Sequence, residues 1–197
     1  MSIRCAILSA AAILLAGCAG DPTIDREAAV TLEPMAKPAS LPTELAWSGL
    51  GGGSEKLVSM ENGVATWTQV EGNEAGCVWV DDGWFAPTSS WKGCTDADGT
   101  QEIVKSGDIW PLEIGKTESY KVKGQAGTDN WQSTHTCTVK AAVLVTVGEK
   151  QLPAYEVVCD DRWRVRTFYV SPELQRLVRY KNYHKKRGMQ TDVSLVR

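Results

Sequence analysis

The sequence predicts a mainly β chain: one antiparallel domain of barrel-like or sandwich form, stapled by two disulfides and preceded by a flexible N-terminal tether. Three observations point there. Short runs rich in β-branched and aromatic residues recur between turn-forming residues along most of the chain. Helical periodicity is nearly absent beyond the first seventeen residues, so there are no crossover helices with which to build a parallel sheet. Cys77, Cys94, Cys137 and Cys159 form an even set once two N-terminal cysteines are set aside.

The first seventeen residues carry one charge, Arg4, ahead of an almost wholly apolar run from Cys5 to Ala16. As a helix at 1.5 Å per residue that run reaches about 18 Å, well short of the roughly 30 Å hydrocarbon core of a bilayer. Residues 1–17 therefore read as a signal peptide and not as a permanent span. Leu15-Ala16-Gly17-Cys18 then resembles the lipobox of bacterial lipoproteins. The resemblance implies a diacylglycerol thioether on Cys18, cleavage just before it, and membrane attachment through acyl chains such as palmitate. Each buried CH₂ contributes about 0.8 kcal/mol to such an anchor. Ala19, where an aspartate would signal retention, implies a place on the outer membrane facing the periplasm.

Residues 18–45 follow as the lipidated cysteine and its tether, with Pro22, Pro34, Pro38 and Pro42 among small and polar residues. Each proline disfavours helix before it, and the composition offers little to bury. Residues 46–197 are the β domain. Gly49, Gly51, Gly52 and Gly53 at its entrance lack the spacing of a phosphate-binding loop. Gly115-Lys116-Thr117 lacks it too, because the loop's first glycine would fall on Trp110.

Within the domain, 64–70, 77–80, 84–86, 119–122, 164–170, 177–183 and 193–196 read as strands, with Asp82-Gly83 as a two-residue hairpin turn. Residues 135–146 and 151–159 are longer β-rich runs that pair about Gly148. That register puts Cys137 opposite Cys159 and Val139 opposite Val157, and on the other face Lys140 opposite Glu156 and Leu144 opposite Leu152. It favours a Cys137–Cys159 bridge and leaves Cys77 with Cys94. Farther on, Thr167 to Leu174, with its Ser171-Pro172-Glu173-Leu174 turn, and the returning Leu177-Val178-Arg179-Tyr180 are similar to an element of uncharacterised β-rich envelope lipoproteins. The similarity implies architecture and no activity.

Eight tryptophans stand against two phenylalanines. Such a set either fills a β core or forms a platform for an amphipathic partner. Trp84 and Trp91, inside the Cys77–Cys94 loop, are the candidate binding residues. Charge is uneven as well. Residues 160–197 hold ten basic and four acidic side chains, in a chain of net charge −3. Lys185, Lys186 and Arg187 are the densest cluster and the candidate contact for an anionic envelope component or an envelope protein. Nucleic acid is disfavoured by compartment.

Catalytic signals are sparse. There are two histidines, His135 and His184, and no nucleophile elbow. Neighbouring acids such as Asp81-Asp82 and Asp160-Asp161 would diverge in strands and read as turn residues. No metal or cofactor site is expected. The leading expectation is a noncatalytic envelope interaction module. The alternative is a carrier of a lipid or other apolar ligand within a β-barrel, which requires an open interior. An envelope hydrolase or transferase would require a histidine joined to a carboxylate and a hydroxyl in a cleft.

Overall fold

The computed structural model describes Asp21 and residues 23–196, and among these every regular element is a strand. The signal peptide, the lipobox and Cys18 lie outside the described residues. The strands are β1 (Ile24–Asp25), β2 (Glu44–Leu50), β3 (Gly53–Glu61), β4 (Val64–Glu71), β5 (Val78–Asp81), β6 (Thr88–Lys92) and β7 (Gly99–Gly107), followed by β8 (Thr117–Ala126), β9 (Asp129–Val147), β10 (Lys150–Asp160), β11 (Arg164–Ser171), β12 (Arg176–His184) and β13 (Gly188–Leu195). From β2 to β13 each strand pairs antiparallel with the next, and β13 returns to pair with β2. The result is a closed antiparallel barrel, which decides between the two expected architectures. Closure leaves no free edge on the ring.

Five of these strands, β1, β2, β3, β6 and β7, were not expected from the sequence. β6 and β7 read Thr-Ser-Ser-Trp-Lys and Gly-Thr-Gln-Glu-Ile-Val-Lys-Ser-Gly, too polar on their outer face to stand out as β-rich runs. Conversely, 84–86 is not a strand and Asp82-Gly83 is not a two-residue turn. Residues 82–87 form one longer connection from β5 to β6, because Phe85, Ala86 and Pro87 turn inward and are buried. An apolar triplet with a place in the core overrides the local turn signal.

Both disulfides form as expected, Cys77–Cys94 and Cys137–Cys159, the latter across directly opposed positions of β9 and β10. The hairpin register needs one correction. Its turn is the pair Gly148-Glu149, with Gly148 at φ 60°, and the pairing that leaves it sets Val145 against Leu152 and Ala141 against Glu156. Near the bridge Val139 faces Val157, as expected. The two registers differ by one residue and are reconciled by a bulge at Lys140, which therefore does not face Glu156. A two-residue turn and a disulfide between opposed cysteines demand pairings of different parity, and one inserted residue satisfies both.

The stretch expected as a tether is described from Asp21 onward, and there it is a strap laid on the barrel. β1 pairs with β9 through Ile24 and Val145. Arg26 reaches the carboxylate of Glu156 and the hydroxyl of Tyr169, on the outer face of the wall. Asp21 is gripped by Arg179 and Lys181. Burial alone would raise its carboxyl, but the Lys181 and Thr23 hydrogen bonds hold it far below the ordinary range. Met35 is buried and exchanges backbone hydrogen bonds with Leu112. A proline-rich segment can pack in this way because Ile24, Leu32, Met35 and Leu41 supply its apolar contacts.

The ends of the barrel differ. At one end Phe85, Ile109 and Leu112, from the β5–β6 and β7–β8 connections, pack with Met35 of the strap into a fully apolar plug. Phe85 stands edge-on to Phe168, and Trp110 stacks on Phe85. The Cys77–Cys94 bridge is at the opposite end, where it ties the β4–β5 connection to the β6–β7 connection.

Candidate functional site

Above the plug the barrel encloses a cavity of about 990 Å³. Five of the six connections at the Cys77–Cys94 end contribute lining residues, among them Glu74, Asp96, Trp163 and Arg187, so this end is the mouth. Seven of the eight tryptophans line the cavity: 47, 67, 79, 84, 91, 131 and 163. Their arrangement follows from strand register. Trp67 of β4 is directly opposite Trp79 of β5, which is opposite Trp91 of β6. Period-two alternation sends all three to the same, inner face. They are twelve residues apart along the chain, and that spacing is the signature of this antiparallel run.

The wall continues past Trp91 by a different device. Trp91 and Trp131 lie 6.0 Å apart, tilted against each other. Beneath them are Gly99 of β7 and Gly124 of β8, where a Cβ would come within 2.3 Å of the Trp91 ring and 2.4 Å of the Trp131 ring respectively. Glycine is required at both positions so that the indoles can lie flat on the backbone. Their N–H groups are satisfied at the Ala97 carbonyl, 2.8 Å, and toward Gln101, 3.4 Å. Trp84 meets Trp110 edge-on at the plug end. Trp84 and Trp91 are thus half-buried members of the cavity wall, one near each end, and neither projects outward from a loop.

Charged side chains share this interior. Asp81, at the end of β5, accepts the Trp79 indole N–H at 3.0 Å through Oδ2, while Oδ1 is buried without a hydrogen-bond partner. Burial pushes its carboxyl up to about 6, against the pull of the Thr88 hydroxyl, the Trp79 N–H and the Arg166 charge. Glu55 of β3 is pushed up to about 7, chiefly by burial and further by the negative charge of Asp81, with the Trp47 indole opposing. Neither carboxylate has an ion-pair partner within 4.0 Å among the described residues. Reading Asp81 as a turn residue therefore missed its role. Asp161 does form turn contacts, its Oδ1 accepting the backbone N–H groups of Trp163 and Arg164 at 2.7 and 2.8 Å, whereas Asp160 ends β10.

Asp161 also faces His135. Its Oδ2 lies 3.2 Å from His135 Nδ1, and Ser133 Oγ lies 2.9 Å from His135 Nε2. A histidine is thus joined to a carboxylate and a hydroxyl on the cavity wall, the grouping a hydrolase would need. Arg166 changes what it can do, because its guanidinium lies 2.5 Å from the same Nδ1. Asp161 at the same nitrogen would favour a proton on Nδ1, but a guanidinium only donates, so toward Arg166 Nδ1 accepts and the ring proton goes to Nε2, pointing at Ser133. In that tautomer the imidazole cannot take the serine proton. Burial and the Arg166 charge lower the His135 pKa to about 4, so the ring is neutral near pH 7.

The basic cluster lies on the β12–β13 connection, exposed, at the rim of the mouth. Lys185 pairs with the Asp160 carboxylate and donates to the Asp161 carbonyl, and Arg187 lines the opening. Lys186 and Arg187 make no ion pair within 4.0 Å among the described residues. Among the described residues no group of three or more His, Cys, Asp or Glu side chains is arranged to hold a metal ion. No family model, curated protein or solved structure matches the chain.

Proposed function

We propose that this chain is a noncatalytic, lipid-anchored barrel of the bacterial envelope that holds a small amphipathic molecule in its tryptophan-lined cavity. One observation carries the reading: about 990 Å³ of interior space is walled by seven indoles and closed at one end by an apolar plug. Indole offers a broad apolar face together with one N–H donor, which suits a partner that is part apolar and part polar. A barrel built only for stability would fill that volume, since each void forfeits packing. Between the two noncatalytic expectations, the open interior favours the ligand carrier over a module that works by its outer surface alone.

Compartment and anchor belong to the same proposal and rest on the lipobox at Cys18. The exposed Lys186 and Arg187 at the rim would turn the mouth toward an anionic envelope surface. Against hydrolysis speaks the Arg166 contact, which favours the His135 tautomer that cannot act as a general base toward Ser133. A brominated decanol should quench tryptophan emission saturably with one site per chain, and Trp79→Ala should weaken that binding by about tenfold. Linear, unsaturable quenching, or binding indifferent to Trp79, would overturn the proposal.

A further inference from the structure

Six carboxylates and four arginines line the cavity, so its walls are net acidic although the neighbouring C-terminal segment of the chain is basic. The imbalance is local. On one side Arg166 is spoken for by His135 Nδ1 and by Asp161, 3.8 Å away. On the other, Glu55 and Asp81 face the interior without an ion pair within 4.0 Å among the described residues: Glu55 meets the Trp47 indole, and Asp81 the Trp79 N–H and the Thr88 hydroxyl, with only the charge of Arg166 acting on it from farther off. The same region carries the Trp67–Trp79 pair, directly opposed across β4 and β5, and Trp47, whose N–H meets Glu55. Desolvated carboxylates without an ion pair cost stability, and such groups cluster at functional sites.

From this juxtaposition we infer that the cavity selects ligands with a cationic head, a quaternary or protonated amine seated against Trp47, Trp67 and Trp79 and neutralised by Glu55 and Asp81. An indole face attracts a cation through its quadrupole, more strongly where water is excluded, and an alkylated ammonium needs few hydrogen bonds. The N–H groups of Trp47 and Trp79 are turned to the carboxylates. Glu74, Asp96 and Asp129 add acidic groups at the mouth, which also carries the basic β12–β13 connection. The apolar remainder of the ligand would run along Trp84 toward the plug. This inference rests on the proposed uptake of an amphiphile and adds the chemical class of its head.

Three probes with one tail separate the two statements: decyltrimethylammonium, decanol and decanoate, each titrated into the purified full chain at pH 8. The inference predicts the order cation, neutral, anion, with the cation bound at least tenfold more tightly than decanol. In Glu55→Gln/Asp81→Asn the cation should fall to the affinity that the same variant shows for decanol, with far-UV circular dichroism showing that the variant is folded. Equal binding of cation and decanol by the unmodified chain would overturn the cation selectivity and leave the carrier reading standing. So would a preference that survives the double substitution. If none of the three binds, the carrier reading fails as well. Carboxylate-dependent binding of the cation with no binding of decanol would leave the head site standing alone.

Discussion

Replacing Asp81 with asparagine should stabilise the protein, and only at a pH where the native carboxyl is charged. Burial raises this group from the ordinary aspartate value of 3.8 to about 6. The folded state therefore holds the proton more tightly than the unfolded one. Native stability is undiminished below about pH 3.8, declines as pH rises toward 6 and is reduced in full above that. At 1.36 kcal/mol per pH unit the difference amounts to about 3 kcal/mol at pH 8. Asparagine keeps an acceptor for the Trp79 N–H and removes the charge that also pushes Glu55 upward. Urea unfolding of both proteins at pH 8 and pH 3.5 should show the variant more stable by up to about 3 kcal/mol at pH 8, or some 6–12 °C in Tm, with the two converging at pH 3.5. A variant less stable at pH 8, or a gain that does not change with pH, would refute the view that desolvation of this carboxylate outweighs its compensating contacts.

Gly99→Val should cost about 1–3 kcal/mol and red-shift the tryptophan emission, because its Cβ would meet the Trp91 ring at 2.3 Å and lift it off the wall. An unchanged spectrum would deny that the indole lies on the backbone. Met35→Ala should destabilise the barrel by about 2–4 kcal/mol, since the side chain is 3 % exposed in the plug; no effect would make the strap a free tether after all. Labelling with palmitate should be lost in Cys18→Ser, and continued incorporation would defeat the lipid anchor.

How much of this was legible beforehand can be judged residue by residue. Cys137 opposite Cys159 followed from alternation in two clear β runs, yet the same logic misplaced Lys140, because a bulge inserts a residue without marking the sequence. The strap was misjudged because composition counts prolines, whereas Ile24 and Met35 act through the surfaces they meet. Tryptophans were visible as a set, and the twelve-residue spacing of Trp67, Trp79 and Trp91 could have revealed the shared wall. The His135–Arg166 contact joins residues 31 apart in the chain, and the burial that raises Asp81 and Glu55 comes from the barrel around them, so neither shows in the local sequence.

The proposed function turns on whether the interior accepts an amphiphile. The most direct measurement is a crystal structure of the chain with a terminally brominated decanol, the bromine located by its anomalous scattering. The account predicts one bromine site inside the barrel, between the tryptophan wall and the plug formed by Phe85, Ile109, Leu112 and Met35. Bromine found only on the outer face, with the indoles closed together across the interior, would contradict it.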